Sequence, residues 1–198
     1  MPDVESPGAM PFGLEDRMTP DAFEKFCLAH PDLRLELTSK GEIVIVPPAG
    51  LDSAFHESDV GFELMKWARA DGRGRVASSN GTFILPSGAV YAPDAAWISY
   101  AKLADLTVKD REKFARFVPE FLIEIMSPSD RLTTAKAKME EWMAGGVTLG
   151  WLIHPRKKSV YIYRTGAQPE QRTGIPEIAG EGPVTGFVLP LDSIWAGA

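Results

Sequence analysis

The chain has 198 residues, 44% of them hydrophobic and 24% charged, and this ordinary globular balance excludes extensive disorder and a membrane-spanning protein. The formal charge of −6 argues against a protein that coats nucleic acid through bulk positive charge, although a bound divalent cation can supply positive charge locally at a phosphate. Cys27 is the single cysteine, so no intrachain disulfide can form, and no secretion signal is recognised at the N-terminus; these features predict a cytoplasmic protein.

A helix, a hairpin and a second helix are predicted first. Thr19 can cap a helix that begins at Pro20, because proline is favoured at the first helical position. Period-two alternation over residues 34–37 and 42–46 predicts two antiparallel strands joined by a tight turn. Apolar residues recur at helical spacing over residues 54–70, which predicts the second helix.

The rest of the chain predicts a sheet with one more long helix. Further strands are predicted at residues 75–78, 82–85, 94–99, 120–126, 149–153 and 160–163. Ser127–Asp130 can turn the chain and cap a helix over residues 131–144. The tail is expected to be loop-rich until residues 187–189, and a short segment over residues 191–195 closes it.

The order of these elements predicts the fold class and the domain organisation. We expect an α/β fold (α+β mixed) with one central mixed sheet of about six to eight strands, flanked by helices. Residues 1–17 are rich in Pro, Gly and acidic residues and are expected to form a flexible leader. Residues 18–198 are expected to form a single domain.

Two predicted strands each carry one acidic residue among apolar neighbours. They read Pro93-Asp94-Ala95-Ala96-Trp97-Ile98 and Phe121-Leu122-Ile123-Glu124-Ile125-Met126. A buried carboxylate is costly unless it is paired, protonated or bound to a metal, and two on neighbouring strands repel each other. Because hard divalent cations prefer oxygen ligands, Asp94 and Glu124 predict a shared metal site. The alternative is that each acid lies at a strand end in water.

Several short motifs follow one another in a fixed order. They are Pro93-Asp94, Glu124-Ile125, Ser127-Pro128-Ser129-Asp130, Lys138-Met139-Glu140-Glu141-Trp142, Gly145 and Gly150-Trp151-Leu152-Ile153-x-Pro155. In this order and spacing they resemble the Uma2 family of restriction-endonuclease-like proteins, formerly a domain of unknown function. The hairpin that carries Glu36 and the helix that His56 opens fit the same pattern, so the resemblance covers nearly the whole chain.

The family is similar to PD-(D/E)xK nucleases, which implies a restriction-endonuclease-like fold and a set of metal ligands. The resemblance assigns Mg²⁺ or Mn²⁺ to Asp94, Glu124 and the backbone carbonyl of Ile125. The lysine that such nucleases carry on the strand would stand at Met126, where it is missing. The family pattern transfers this role to Lys138 on the following helix.

Two interpretations remain open for each of the other candidate residues. Helical periodicity places Lys136 and Lys138 on opposite flanks of the predicted buried stripe, so either can reach a site or remain a solvated edge residue. The resemblance implies that Glu36 is an additional acid of the site. The alternative is that Glu36 only occupies the polar face of the hairpin. For His56 the resemblance implies a partner of a metal ligand or a contact to metal or phosphate. The alternative is that His56 is an exposed or capping residue early in a helix.

The resemblance implies an endonuclease that hydrolyses DNA phosphodiester bonds through a metal-activated water. The alternatives are a catalytically inactive nuclease-fold module for binding or assembly, and a nuclease that acts on RNA. The expected partner is DNA, with RNA as an alternative. A homodimer is a further alternative, and no interaction with a membrane is expected. Trp97, Trp142 and Trp151 fall on core-facing positions, which favours packing over base stacking.

Overall fold

The structure is a computed structural model, and it describes residues 17–196. The predicted leader, residues 1–17, lies outside this range except for Arg17. The helices are α1 (Pro20–Ala29), α2 (Leu51–Asp71), α3 (Tyr100–Ala104), α4 (Val108–Arg111), α5 (Leu132–Ala144) and α6 (Asp192–Ala196). The strands are β1 (Leu35–Leu37), β2 (Ile43–Ile45), β3 (Gly74–Ser78), β4 (Phe83–Ile84), β5 (Val90–Tyr91), β6 (Ala95–Ser99), β7 (Phe121–Ile125), β8 (Leu149–His154), β9 (Ser159–Arg164), β10 (Glu170–Thr173), β11 (Glu177–Ala179) and β12 (Val188–Pro190).

A six-stranded mixed sheet forms the centre of the fold. Its strand order is β10-β9-β8-β7-β6-β3, with β7 and β8 parallel and the other neighbours antiparallel. The central strands β7 and β8 are mostly apolar because helices and loops cover both of their faces. The predicted α/β fold with a central mixed sheet flanked by helices is therefore confirmed.

The two faces of this sheet pack against different helices. On one face, Val60, Leu64 and Ala68 of α2 form a buried stripe against the sheet, together with residues of α6. On the other face, Met139 and Trp142 of α5 are fully buried. Since side chains alternate along a strand, this division fixes which strand residues face α5.

The hairpin belongs to a second sheet, which differs from the single sheet that the sequence predicts. This four-stranded sheet has the order β2-β1-β5-β4, and Leu37 of β1 pairs with Val90 of β5. Phe23 and Phe26 of α1 pack on it. Strand β5 has two residues, which is too short for a period-two pattern to reveal it.

Several predicted element boundaries agree with the structure, and two predictions are wrong. The Thr19 hydroxyl accepts a hydrogen bond from the Ala22 N–H at 3.3 Å, as a helix cap does. Asp130 does not cap α5, because its carboxylate accepts the Ser127 N–H at 2.7 Å and so stabilises the preceding turn instead. The tail is also less irregular than predicted, since β10 and β11 lie within it.

Among residues 17–196, no helix combines the length and apolar character that crossing a bilayer requires.

Candidate functional site

Asp94 and Glu124 lie side by side on one face of the central sheet. Strands β6 and β7 pair with Ala95 opposite Ile123, and continuing this register by one residue brings Asp94 opposite Glu124. Both side chains point to the face that α5 covers, because Leu122, two residues before Glu124, packs there. The Ile125 N–H donates to Asp94 Oδ2 at 2.6 Å and so fixes that carboxylate across the strand pair.

Two side chains of α5 hold the Glu124 carboxylate. Lys138 Nζ lies 3.0 Å from Glu124 Oε1, and the Trp142 indole N–H donates to the same oxygen at 2.9 Å. Trp142 is fully buried, so the prediction that it packs in the core is correct but incomplete. One helical turn separates Lys138 from Trp142, which explains why both reach one carboxylate.

Glu36 completes the cluster from the second sheet. Lys138 Nζ lies 2.8 Å from Glu36 Oε1, which also accepts the Ala92 N–H at 3.3 Å. The ring of Tyr91 lies 5.2 Å from the same ammonium group. Lys138 therefore joins an acid of each sheet, and its position depends on both of them.

The structure distinguishes the two lysines that periodicity left equal. Lys138 faces Glu36 and Glu124, and its side chain is 21% exposed to solvent. Lys136 lies over the ring of Tyr161, with its ammonium 4.3 Å from the ring centre. Lys138 is thus the lysine placed beside the acid pair, as the family pattern indicated.

The enclosure of this cluster changes how its groups titrate. Burial, and after it the nearby charge of Glu124, raises the pKa of Asp94 to about 8. Burial also raises the pKa of Glu124, although Lys138 opposes this change. Burial alone would lower the pKa of Lys138, but Glu124 and Glu36 outweigh it, so the pKa is raised and the ammonium stays charged.

These groups open into one cleft of about 880 Å³. The predicted site residues that line it are Glu36, Asp94, Glu124, Ile125 and Lys138. His56 is placed elsewhere: it is 6% exposed and continues the buried stripe of α2 that includes Val60. Its neighbour Glu57 lines the cleft instead and acts to raise the pKa of Asp94.

The sequence interpretation missed Glu57, although a signal for it was present. The stripe of α2 runs at steps of four residues, and extending it back by one turn reaches His56. A residue on that stripe faces the core, so the next residue, Glu57, must point about 100° away from it.

The carboxylates fit a divalent cation in an open site. Asp94 Oδ1 and Glu124 Oε2 make no hydrogen bond with any residue in the described range, so one oxygen of each carboxylate is free. Within that range no three His, Cys, Asp or Glu side chains form a complete metal cluster. Magnesium commonly takes only one or two protein carboxylates and fills its remaining positions with water and substrate oxygens, which suits this pair.

We expect the metal-free protein to lose stability as the pH rises toward 8. The folded chain keeps the Asp94 proton up to about pH 8, whereas the unfolded chain releases it near the ordinary pKa of 3.8. The folded state thus binds more protons between these values, so its stability falls as the pH rises and levels off above about pH 8. Melting temperatures in EDTA should show this fall relative to Asp94→Asn, and a difference between the two proteins that does not change with pH would contradict it.

The central mixed sheet with helices on both faces is a nuclease-like fold. The chain belongs to the Uma2 family, whose model, described as "Putative restriction endonuclease", matches residues 20–192. A solved structure from Anabaena variabilis ATCC 29413, described as a "putative nuclease belonging to DUF820", covers 90% of this chain and 98% of its own, with a TM-score of 0.73. At 18% identity this likeness shows the fold alone. None of the curated proteins compared with the chain matches it.

Proposed function

We propose that this protein is a divalent-cation-dependent endonuclease that hydrolyses phosphodiester bonds of DNA. The observation that carries the proposal is the placement of Asp94 and Glu124 on one face of adjoining strands, with the Lys138 ammonium 3.0 Å from Glu124. Membership of the Uma2 family supports nuclease chemistry. Fold likeness alone would not, because one fold hosts many activities.

Asp94, Glu124 and the carbonyl of Ile125 are the groups that would hold Mg²⁺ or Mn²⁺. Such a cation, when bound, lowers the pKa of water and offsets the negative charge that develops on the phosphate. The Ile125 N–H orients the Asp94 carboxylate, and the Trp142 indole orients that of Glu124. Both carboxylates are thereby held in place before substrate arrives.

Lys138 provides a fixed positive charge beside the acids. Its raised pKa keeps it protonated, so in our proposal it stabilises negative charge on the reacting phosphate and does not act as a base. Glu36 positions Lys138 through the 2.8 Å ion pair. Met126, at the strand position of the usual lysine, is buried against the core, and Lys138 reaches the site from α5 instead.

The lysine position bears on the alternative of an inactive nuclease-fold module. A missing lysine at Met126 would favour that alternative, but the ammonium group of Lys138 from α5 lies beside Glu124. The chain thus retains each type of group that the chemistry requires: two acids and a lysine. This observation favours an active enzyme.

Supercoiled plasmid DNA should be cut to nicked and linear forms in Mg²⁺ or Mn²⁺, and excess EDTA should abolish cutting. Asp94→Asn is the matched control for a contaminating nuclease, because it keeps the size of the side chain and removes one ligand charge. No cutting with either metal would contradict the proposal and support an inactive module. Faster cutting of an RNA of the same sequence would replace DNA by RNA as the substrate.

A further inference from the structure

Acidic side chains outnumber basic ones in the cleft. The charged residues that line it are Arg34, Glu36, Glu57, Asp94, Glu124, Asp130, Arg131 and Lys138. A nucleic-acid strand carries one negative charge per nucleotide. The phosphates on either side of the reacting one therefore also need positively charged groups in the cleft. The basic residues that line the cleft are therefore the groups that can bind these phosphates.

Arg34 and Arg131 are the cleft cations whose charge remains available. Lys138 is already held by Glu36 and Glu124. Neither arginine side chain forms an ion pair or hydrogen bond with any residue between positions 17 and 196, and both are exposed. Free guanidinium groups can bind an arriving ligand without first breaking an existing pair.

The backbone of each arginine is anchored in regular structure. The Arg34 carbonyl accepts the Val46 N–H at 2.9 Å, which continues the ladder of β1 and β2. The Arg131 carbonyl accepts the Ala135 N–H at 3.0 Å at the start of α5. The two side chains thus enter the cleft from the second sheet and from the helix that carries Lys138.

We infer that Arg34 and Arg131 bind the phosphates that flank the reacting one on a DNA strand lying in this cleft. A guanidinium group presents a planar fork of donors that matches two phosphate oxygens and keeps its charge at every physiological pH. Contacts of this kind position the backbone and carry no sequence information. The inference rests on the proposed function and adds to it the residues that hold the substrate.

Binding of a fluorescent DNA duplex, with Ca²⁺ replacing Mg²⁺ to limit cutting, tests this inference. Arg34→Ala and Arg131→Ala should each weaken binding, on the order of tenfold, and by the same factor for two unrelated sequences. Each should also reduce the slope of log affinity against log salt concentration by about 0.9, the value for one phosphate contact. Arg156→Ala, an exposed arginine outside the cleft lining, is the matched control and should change neither quantity.

Two further results separate this inference from the proposed function. Arg34→Lys and Arg131→Lys should restore the salt slope while leaving affinity below that of the unchanged protein, because lysine keeps the charge but lacks the fork. If the unchanged protein cuts DNA and both alanine variants keep its salt slope, the inference is overturned while the proposed function stands. If the unchanged protein neither binds nor cuts nucleic acid, both are overturned.

Discussion

Glu124→Gln is expected to lower the rate of Mg²⁺-dependent DNA cleavage by roughly 10²–10³-fold, by analogy with removal of one group that stabilises a transition state. The substitution removes a ligand charge and changes the size of the side chain little. The Trp142 indole can still donate to the amide oxygen of glutamine, so the core around it should keep its packing. Initial rates of plasmid cutting at saturating Mg²⁺ measure the effect.

The same substitution should not lower the stability of the metal-free protein. Burial and the charge of Glu36 raise the pKa of Glu124 more than Lys138 lowers it, so the ionised carboxylate costs the folded state free energy that a neutral glutamine does not. Lys138 also keeps its ion pair with Glu36. Melting in EDTA should therefore occur at the same temperature or higher. Glu140→Gln, on the exposed side of α5, is the control for charge alone. A stable Glu124→Gln protein that still cuts DNA at the normal rate would contradict the assigned role.

Lys138→Met is expected to impair both activity and stability. It removes the charge beside Glu124 and leaves Glu36 and Glu124 without their shared cation. Breaking a buried pair from one side costs about 3–5 kcal/mol, and the 21% exposure of Lys138 lowers this to about 2–3 kcal/mol. Cleavage should fall by roughly 10²-fold or more. Urea unfolding and plasmid cutting measure the two effects.

Lys136→Met provides the matched control, since it makes the same chemical change two residues earlier. Its contact with the Tyr161 ring is worth about 0.5–1 kcal/mol, so the loss of stability should be small. Cleavage should remain near normal because Lys136 does not line the cleft. The reverse outcome, with Lys136→Met inactive and Lys138→Met active, would show that the functional lysine is wrongly assigned.

The acid pair could be predicted from sequence because its signal is local. An acid among apolar residues marks Asp94 and Glu124 within their own strands. Whether the two side chains share a face depends on the register of β6 against β7, in which Ala95 pairs with Ile123. A shift by one residue would turn one acid to the opposite face, and the sequence of either strand alone does not fix the register.

The choice between the two lysines shows where helical periodicity reaches its limit. Lys136 and Lys138 flank the buried stripe of α5 equally, so the pattern in the helix contains no preference. The difference comes from what lies opposite them, which is Tyr161 for one and Glu36 for the other. Glu36 lies 102 residues away along the chain and on another sheet, so only the tertiary structure brings it to the site.

The position of His56 follows from the buried stripe of α2 when that stripe is extended back by one turn. The resemblance implied a partner of a ligand or a contact to metal or phosphate, and the structure places this side chain on the buried stripe of α2. The cleft receives Glu57 from the same helix turn. One residue along a helix turns the side chain by about 100°, which is enough to exchange a core position for a cleft position.

Crystals soaked in Mn²⁺ test whether Asp94 and Glu124 share a cation, because manganese has a measurable anomalous signal and accepts the same oxygen ligands as magnesium. We expect an anomalous peak in contact with one oxygen each of Asp94 and Glu124, on the face of the sheet that α5 covers. A shared cation would be contradicted if this position stayed empty in a fully soaked crystal. The negative charge of the two carboxylates would then be balanced by Lys138 and a proton alone.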